Sequence, residues 1–173
     1  MRPGLKQAGR CGWLLVACLL AVTADARAQN PRTANETVTF VVAAQANLTL
    51  SATTQTFPNA DPDTVPQIPA SQGPVTITTK GRTAPGNQII LSALASDDLR
   101  SGTNTILIGA LTWTASGTGY VGGTMNRTTA QQVGLWSTSG NFGGTQTYLL
   151  ANSWTYPTGN YGPVTLTYTL SAP

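Results

Sequence analysis

From Val164 to Leu170 the chain reads V-T-L-T-Y-T-L, with apolar side chains on the even positions and threonines between them. A period of two sends successive side chains to opposite faces of an extended strand, so this stretch has one face for a core and one for water. The same alternation runs through Val38, Phe40, Val42, Ala44, Ala46, Leu48 and Leu50, separated mostly by Thr, Gln and Asn. Beyond the first 28 residues no apolar stripe recurs at i, i+3, i+4 and i+7 over a helical length. The abundant Thr, Gly, Asn and Ser are also weak residues for a helix interior. The chain is therefore restricted to strands and the turns that join them.

Taken in order, the strands are of uneven promise. Residues 36–52 as one strand would reach about 50 Å at ~3.3 Å per residue, against a usual length of ~17–20 Å. The stretch must bend or divide. Either it breaks near Ala43 to Asn47 and continues in a second sheet, or its first half lies outside the domain. In the second case residues 35–44 add as a strand to a neighbour's sheet, with Val38, Phe40 and Val42 filling the neighbour's groove. Thr53 to Pro74 carries Pro58, Pro62, Pro66, Pro69 and Pro74 and reads as an extended loop. Val75 to Arg82 is a second strand and Asn87 to Ala95 a third. In the third, the adjacent Ile89, Ile90 and Leu91 indicate a central strand covered on both faces or a register shift. Ser96 to Asn104 is a polar turn. The apolar parity of Ile106, Ile108, Leu111 and Trp113 switches at Gly109-Ala110, which predicts a bulge or tight bend. Glycines then punctuate Tyr120 to Met125, Ala130 to Thr138 and Thr145 to Ala151, a succession of hairpins. About 8 to 10 short strands without helices imply an antiparallel β-sandwich or barrel.

The N-terminus reads as a leader. Arg2, Lys6 and Arg10 precede an apolar run from Cys11 to Val22, and Ala26-Arg27-Ala28 offers the small residues of a cleavage site. Cleavage is expected before Gln29, with export through a Sec-type signal to the periplasm, cell surface or extracellular space. The rival reading is lipidation at Cys18, since Leu15-Val16-Ala17-Cys18 has the form of a lipobox. Removing 28 of the 173 residues leaves 145, expected as one β-sandwich domain spanning 29–173.

The leader also carries the charge imbalance. The chain has 9 Lys and Arg against 6 Asp and Glu, but Arg2, Lys6, Arg10, Arg27 and Asp25 all precede Gln29. Five basic and five acidic residues remain, with no cluster of Lys or Arg to displace counterions from phosphates, and this argues against a nucleic-acid partner. Both cysteines, Cys11 and Cys18, lie in the leader. No later apolar run approaches the ~20 residues of a transmembrane helix, so no transmembrane segment is expected after cleavage.

The inventory of reactive side chains is short. There is no histidine, and no cysteine after the leader, which removes Ser-His-Asp and Cys-His catalysis and imidazole or thiolate metal sites. Glu36, Asp61, Asp63, Asp97 and Asp98 fall in loops and turns and read as solvated rather than as a carboxylate pair across a scissile glycoside. Asn59, Asp61 and Asp63 begin like a calcium loop, but Thr64 and Ala70 stand where Gly and Glu are needed. The expectation is a non-enzyme without cofactor. A different class of function lies in the aromatics. A flat aromatic on a sandwich can stack on a sugar ring, and Trp136 and Trp154 are the candidates for exposed platforms of a polysaccharide-binding module. Trp113 shares the parity of Leu111 and reads as core.

Pro157-Thr158-Gly159-Asn160-Tyr161, followed by Val164, Leu166 and Tyr168, resembles the terminal P-x-G-x-Y strand of bacterial spore-coat-U-like and fimbrial-subunit-like secreted proteins. The resemblance covers about the last 17 residues. It implies an immunoglobulin-like antiparallel β-sandwich, a structural role at the cell surface, and assembly by strand exchange with copies of itself or other surface subunits.

Overall fold

The computed structural model describes residues 36–173. The expected leader with its expected cleavage before Gln29, the alternative lipidation at Cys18, and Asn35 lie outside the described residues. The chain divides into two compact units between Thr39 and Phe40. Of the first, residues 36–39 are described and carry no strand, while Phe40–Pro173 holds all the strands described here.

Those strands are β1 Gln45–Leu50, β2 Gln67–Pro69, β3 Val75–Arg82, β4 Ile89–Ala95, β5 Leu99–Ser101 and β6 Asn104–Ile106. A 3-10 turn at Ile108–Ala110 then leads into β7 Leu111–Ser116, β8 Gly123–Thr124, β9 Gln131–Trp136, β10 Gly140–Ala151 and β11 Leu166–Ser171. The architecture is the all-β antiparallel sandwich expected from the alternation. The larger sheet runs β1-β3-β10-β7-β8, with β2 paired to the end of β10, and the smaller runs β11-β4-β9. β5 and β6 form a separate hairpin.

Alternation decides which side chains meet between the sheets. On β3, Val75, Ile77, Thr79 and Gly81 are buried, and on β4 so are Ile89, Leu91, Ala93 and Ala95. Ile90 points outward, so the Ile-Ile-Leu run is not a doubly covered strand. The register shift that was its alternative is present: β4 slips against β9 between Leu91 and Ser92, where Leu91 pairs Gly134 and Ser92 pairs Gln132. Val133 is the extra residue on β9, and both Val133 and Gly134 are buried. The expected bend at Gly109-Ala110 is the 3-10 turn, closed by the Leu111 N–H donating to the Ile108 carbonyl. Residues 96–104, expected as a plain polar turn, include β5 and enter β6.

At the closed end of the smaller sheet, three aromatics form a plug. The Trp136 indole stacks on Phe142 with centroids 4.7 Å apart and meets Tyr120 edge-on at 4.9 Å. Its Nε1 donates to the Thr118 carbonyl at 2.8 Å. The indole lies across Gly134, where a Cβ would overlap it, which is why that position holds no side chain. The Tyr120 hydroxyl reaches the Phe142 carbonyl at 2.9 Å and Thr79 Oγ1 at 3.1 Å. Burying an indole of about 200 Å² contributes on the order of 5 kcal/mol at ~25 cal/mol per Å², so this plug is a principal source of stability.

Polar groups inside the sandwich link the two sheets. Gln146 on β10 is fully buried, and its Oε1 accepts from the Tyr168 hydroxyl at 2.6 Å and the Tyr148 hydroxyl at 3.1 Å. The two phenols also contact one another. Burial pushes both hydroxyls above the ordinary tyrosine range, and the neighbouring Tyr148 adds to the shift at Tyr168. Asp98, expected as a solvated turn residue, is buried: Oδ1 accepts from the Ile108 N–H at 2.8 Å, and Oδ2 pairs with Arg127 Nε at 3.0 Å. Its carboxylate closes the start of the 3-10 turn, satisfying an amide that otherwise has no partner there.

Candidate functional site

Asp61, Asp63, Asp97 and Asp98 fall in two local pairs, each held by its own contacts. Asp61 Oδ1 accepts from the Asp63 N–H at 3.0 Å, and the Asp61 carbonyl accepts from the N–H groups of Thr64 and Val65, a tight local turn. Asp97 binds Arg100 at 2.9 Å, and that charge-assisted hydrogen bond holds its carboxyl down to about 2. Among the described residues no three of His, Cys, Asp and Glu gather where they could hold a metal ion.

The N-terminal segment presents the first unabsorbed feature. Val38 and Phe40 are 83% exposed, Val41 81% and Val42 58%, and residues 36–44 carry no strand. The alternation of 36–52 is thus divided, with β1 beginning at Gln45, inside the stretch where a break was expected. The first half does not continue into a second sheet, which corrects one of the two readings. β1 pairs only with β3, over Gln45 to Leu50.

The sandwich itself has one unfinished side. β1 ends the larger sheet, β11 ends the smaller one, and the two strands lie against each other. Among the described residues, each therefore presents an outer row of main-chain N–H and C=O groups without a partner strand. Their inward side chains, Leu48 and Leu50 on β1 and Leu166, Tyr168 and Leu170 on β11, pack on the core but stay only half-buried. At the other end of the smaller sheet β9 is covered: the Val121 N–H donates to the Val133 carbonyl and the Leu135 N–H to the Gly119 carbonyl, both at 2.9 Å.

Of the two tryptophans expected as exposed platforms, the structure keeps one. Trp136 is 6% exposed, and its burial corrects that expectation. The reason is the extra residue at Val133, which reverses the parity of β9 so that Gly134 and Trp136 turn inward. Trp154 is 69% exposed, in the loop after β10. Its Nε1 donates to Asp63 Oδ1 at 3.0 Å, fixing the ring against the proline-rich loop. That loop is held in turn by Asn152, whose Nδ2 donates to the carbonyls of Ala60 and Val65 and whose N–H donates to Pro66. Ala151 and Tyr156, on either side of this loop, line a shallow hollow of about 380 Å³ with Ile106, Leu107 and Ala110. Sequence reasoning missed the hollow, which joins residues 105–110 to Ala151 and Tyr156, and the role of Asp63, whose contact with Trp154 spans 91 residues. Among the described residues no helix is long and apolar enough to cross a membrane. No family model matches this chain, and no curated protein or solved structure matches it.

Proposed function

We propose that this protein is an exported, non-catalytic structural subunit of a cell-surface or extracellular assembly, and that it joins copies of itself or other surface subunits by β-strand addition. The observation that carries the reading is the exposed apolar run Val38, Phe40 and Val42, which carries no strand, together with a sandwich whose β1 and β11 edges have no partner strand among the described residues. Added strands gain main-chain hydrogen bonds from the edge and specificity from alternate side chains in its groove. Burying a Val or Phe side chain stabilises by about 1.5–3 kcal/mol, so three such side chains offset in part the ordering of the segment from 35 to 44. Export rests on the three-part leader within residues 1–28.

The test is light scattering coupled to size-exclusion chromatography on the chain from Gln29, over a concentration series. Strand addition gives a concentration-dependent ladder that disappears when Val38, Phe40 and Val42 are all replaced by Ser. A stable monomer of about 15 kDa at every concentration rejects it. Fractionation of cells producing the full chain, with and without residues 1–28, tests export separately.

A further inference from the structure

We propose that Trp154, with Asp63 and the hollow beside Tyr156, is a binding subsite for a neutral polysaccharide, a function distinct from assembly through residues 35–44. Outside the N-terminal run, Trp154 and Leu107, which lines the hollow, are the most exposed large hydrophobic side chains among the described residues. Its exposure is not that of a loose side chain. The Nε1–H bond to Asp63 Oδ1 fixes the indole, and Asn152 fixes the loop that carries it to the loop that carries Asp63. An aromatic face already held in one orientation loses little side-chain freedom when a ligand settles on it.

The chemistry of the surroundings selects the ligand. The face of an indole carries the negative part of its quadrupole and the edge the positive part, so it favours the weakly positive C–H face of a pyranose over an anion. Asp63 Oδ1 is engaged by the indole, which leaves Oδ2 to accept from a sugar hydroxyl. The same carboxylate disfavours an acidic sugar at this position. Tyr156, which closes the same turn as Trp154 through its N–H to the Ser153 carbonyl, lines a hollow that Ile106, Leu107 and Ala110 make apolar and to which Thr105 adds a hydroxyl. A flat aromatic with one oriented carboxylate, followed two residues on by the wall of an apolar hollow, suits neutral sugar rings better than a charged peptide or lipid headgroup.

The experiment uses the secreted chain from Gln29 with soluble xylan, galactomannan, mixed-linkage β-glucan and α-mannan, read by affinity gel electrophoresis and tryptophan fluorescence. Trp13 leaves with the leader and Trp113 and Trp136 are buried, so a ligand-induced blue shift reports on Trp154. At least one polymer should retard the protein and shift its emission. Trp154→Ala should weaken retardation by about tenfold or more, and Asp63→Asn should weaken it by about threefold through the lost acceptor charge, while circular dichroism stays unchanged. Wild-type protein that is neither retarded nor shifted by any of the four overturns the proposal. So does retardation that survives Trp154→Ala, or, with polygalacturonate run as an acidic fifth polymer, binding to that polymer alone. The Val38, Phe40 and Val42 replacements leave this site intact, so a lost ladder with retained sugar binding separates the two readings.

Discussion

β4 and β11 are neighbours in the same sheet and carry the same alternation, yet they end in different environments. On β4 the inward Ile89, Leu91, Ala93 and Ala95 are sealed, whereas on β11 the inward Leu166, Tyr168 and Leu170 stay half-buried. The difference is in neighbours rather than in pattern. β4 has a strand on each side, while β11 has one, and its other edge faces β1 across an unfinished side of the sandwich. A strand's pattern states which face seeks a core, and the number of strands around it sets how far that is achieved.

The comparison can be broken first at the sealed end. Trp136→Ala removes the centre of the aromatic plug and should cost about 3–5 kcal/mol, measured as a lowered denaturant midpoint at unchanged slope. A loss under about 1 kcal/mol would mean the plug does not seal the sandwich. Next come paired truncations across the contrast. Leu91→Ala should cost about 2–5 kcal/mol, and Leu170→Ala, paired to Leu91 in register, clearly less, because water already reaches it. Equal losses would show that the β11 side is closed in solution, as it would be if an added strand covered it.

Tyr168 sharpens the comparison because it stands on the open strand while its hydroxyl reaches the sealed Gln146. Tyr168→Phe should cost about 1–2 kcal/mol, since Gln146 keeps Tyr148 as a donor. The same groups impose a pH dependence. Burial raises the hydroxyls of Tyr120, Tyr148 and Tyr168 above the unfolded value near 10, so the folded state keeps protons that the unfolded state releases. Stability is complete below that value and falls as pH rises above it. Melting temperature between pH 8 and 11.5 should stay level and then decline, with a shallower decline in Tyr168→Phe. A flat profile throughout would place these hydroxyls in contact with water.

The smallest effect is expected at the rim. Arg127→Ala leaves Asp98 with its Ile108 amide but without its cation, and should cost about 1 kcal/mol, because the guanidinium side of the pair is half-exposed.

Much of the fold was legible from periodicity. The alternation of Val164 to Leu170 gave its strand and inward face, because a period of two follows from backbone geometry alone, and Val75 and Ile77 among β-favouring threonines gave the strand that ends at Arg82. The turn at Gly109-Ala110 was legible from a parity switch. Trp136 was not, since one extra residue at Val133 reverses every side chain after it, and such a residue shows only when the partner strand is known. Asp98 was misread for a related reason: its partners, Ile108 and Arg127, lie 10 and 29 residues along the chain, and only packing brings them together.

By itself, then, the sequence determined an all-β chain, the absence of histidine, and which stretches alternate. The tertiary structure alone decided which alternating strands are sealed, which of two tryptophans faces water, and that Asp63 orients it. The physical reason is range. Alternation and composition are local properties of the backbone and its side chains, whereas burial depends on contacts between residues far apart in the chain, which exist only once the sheets have packed.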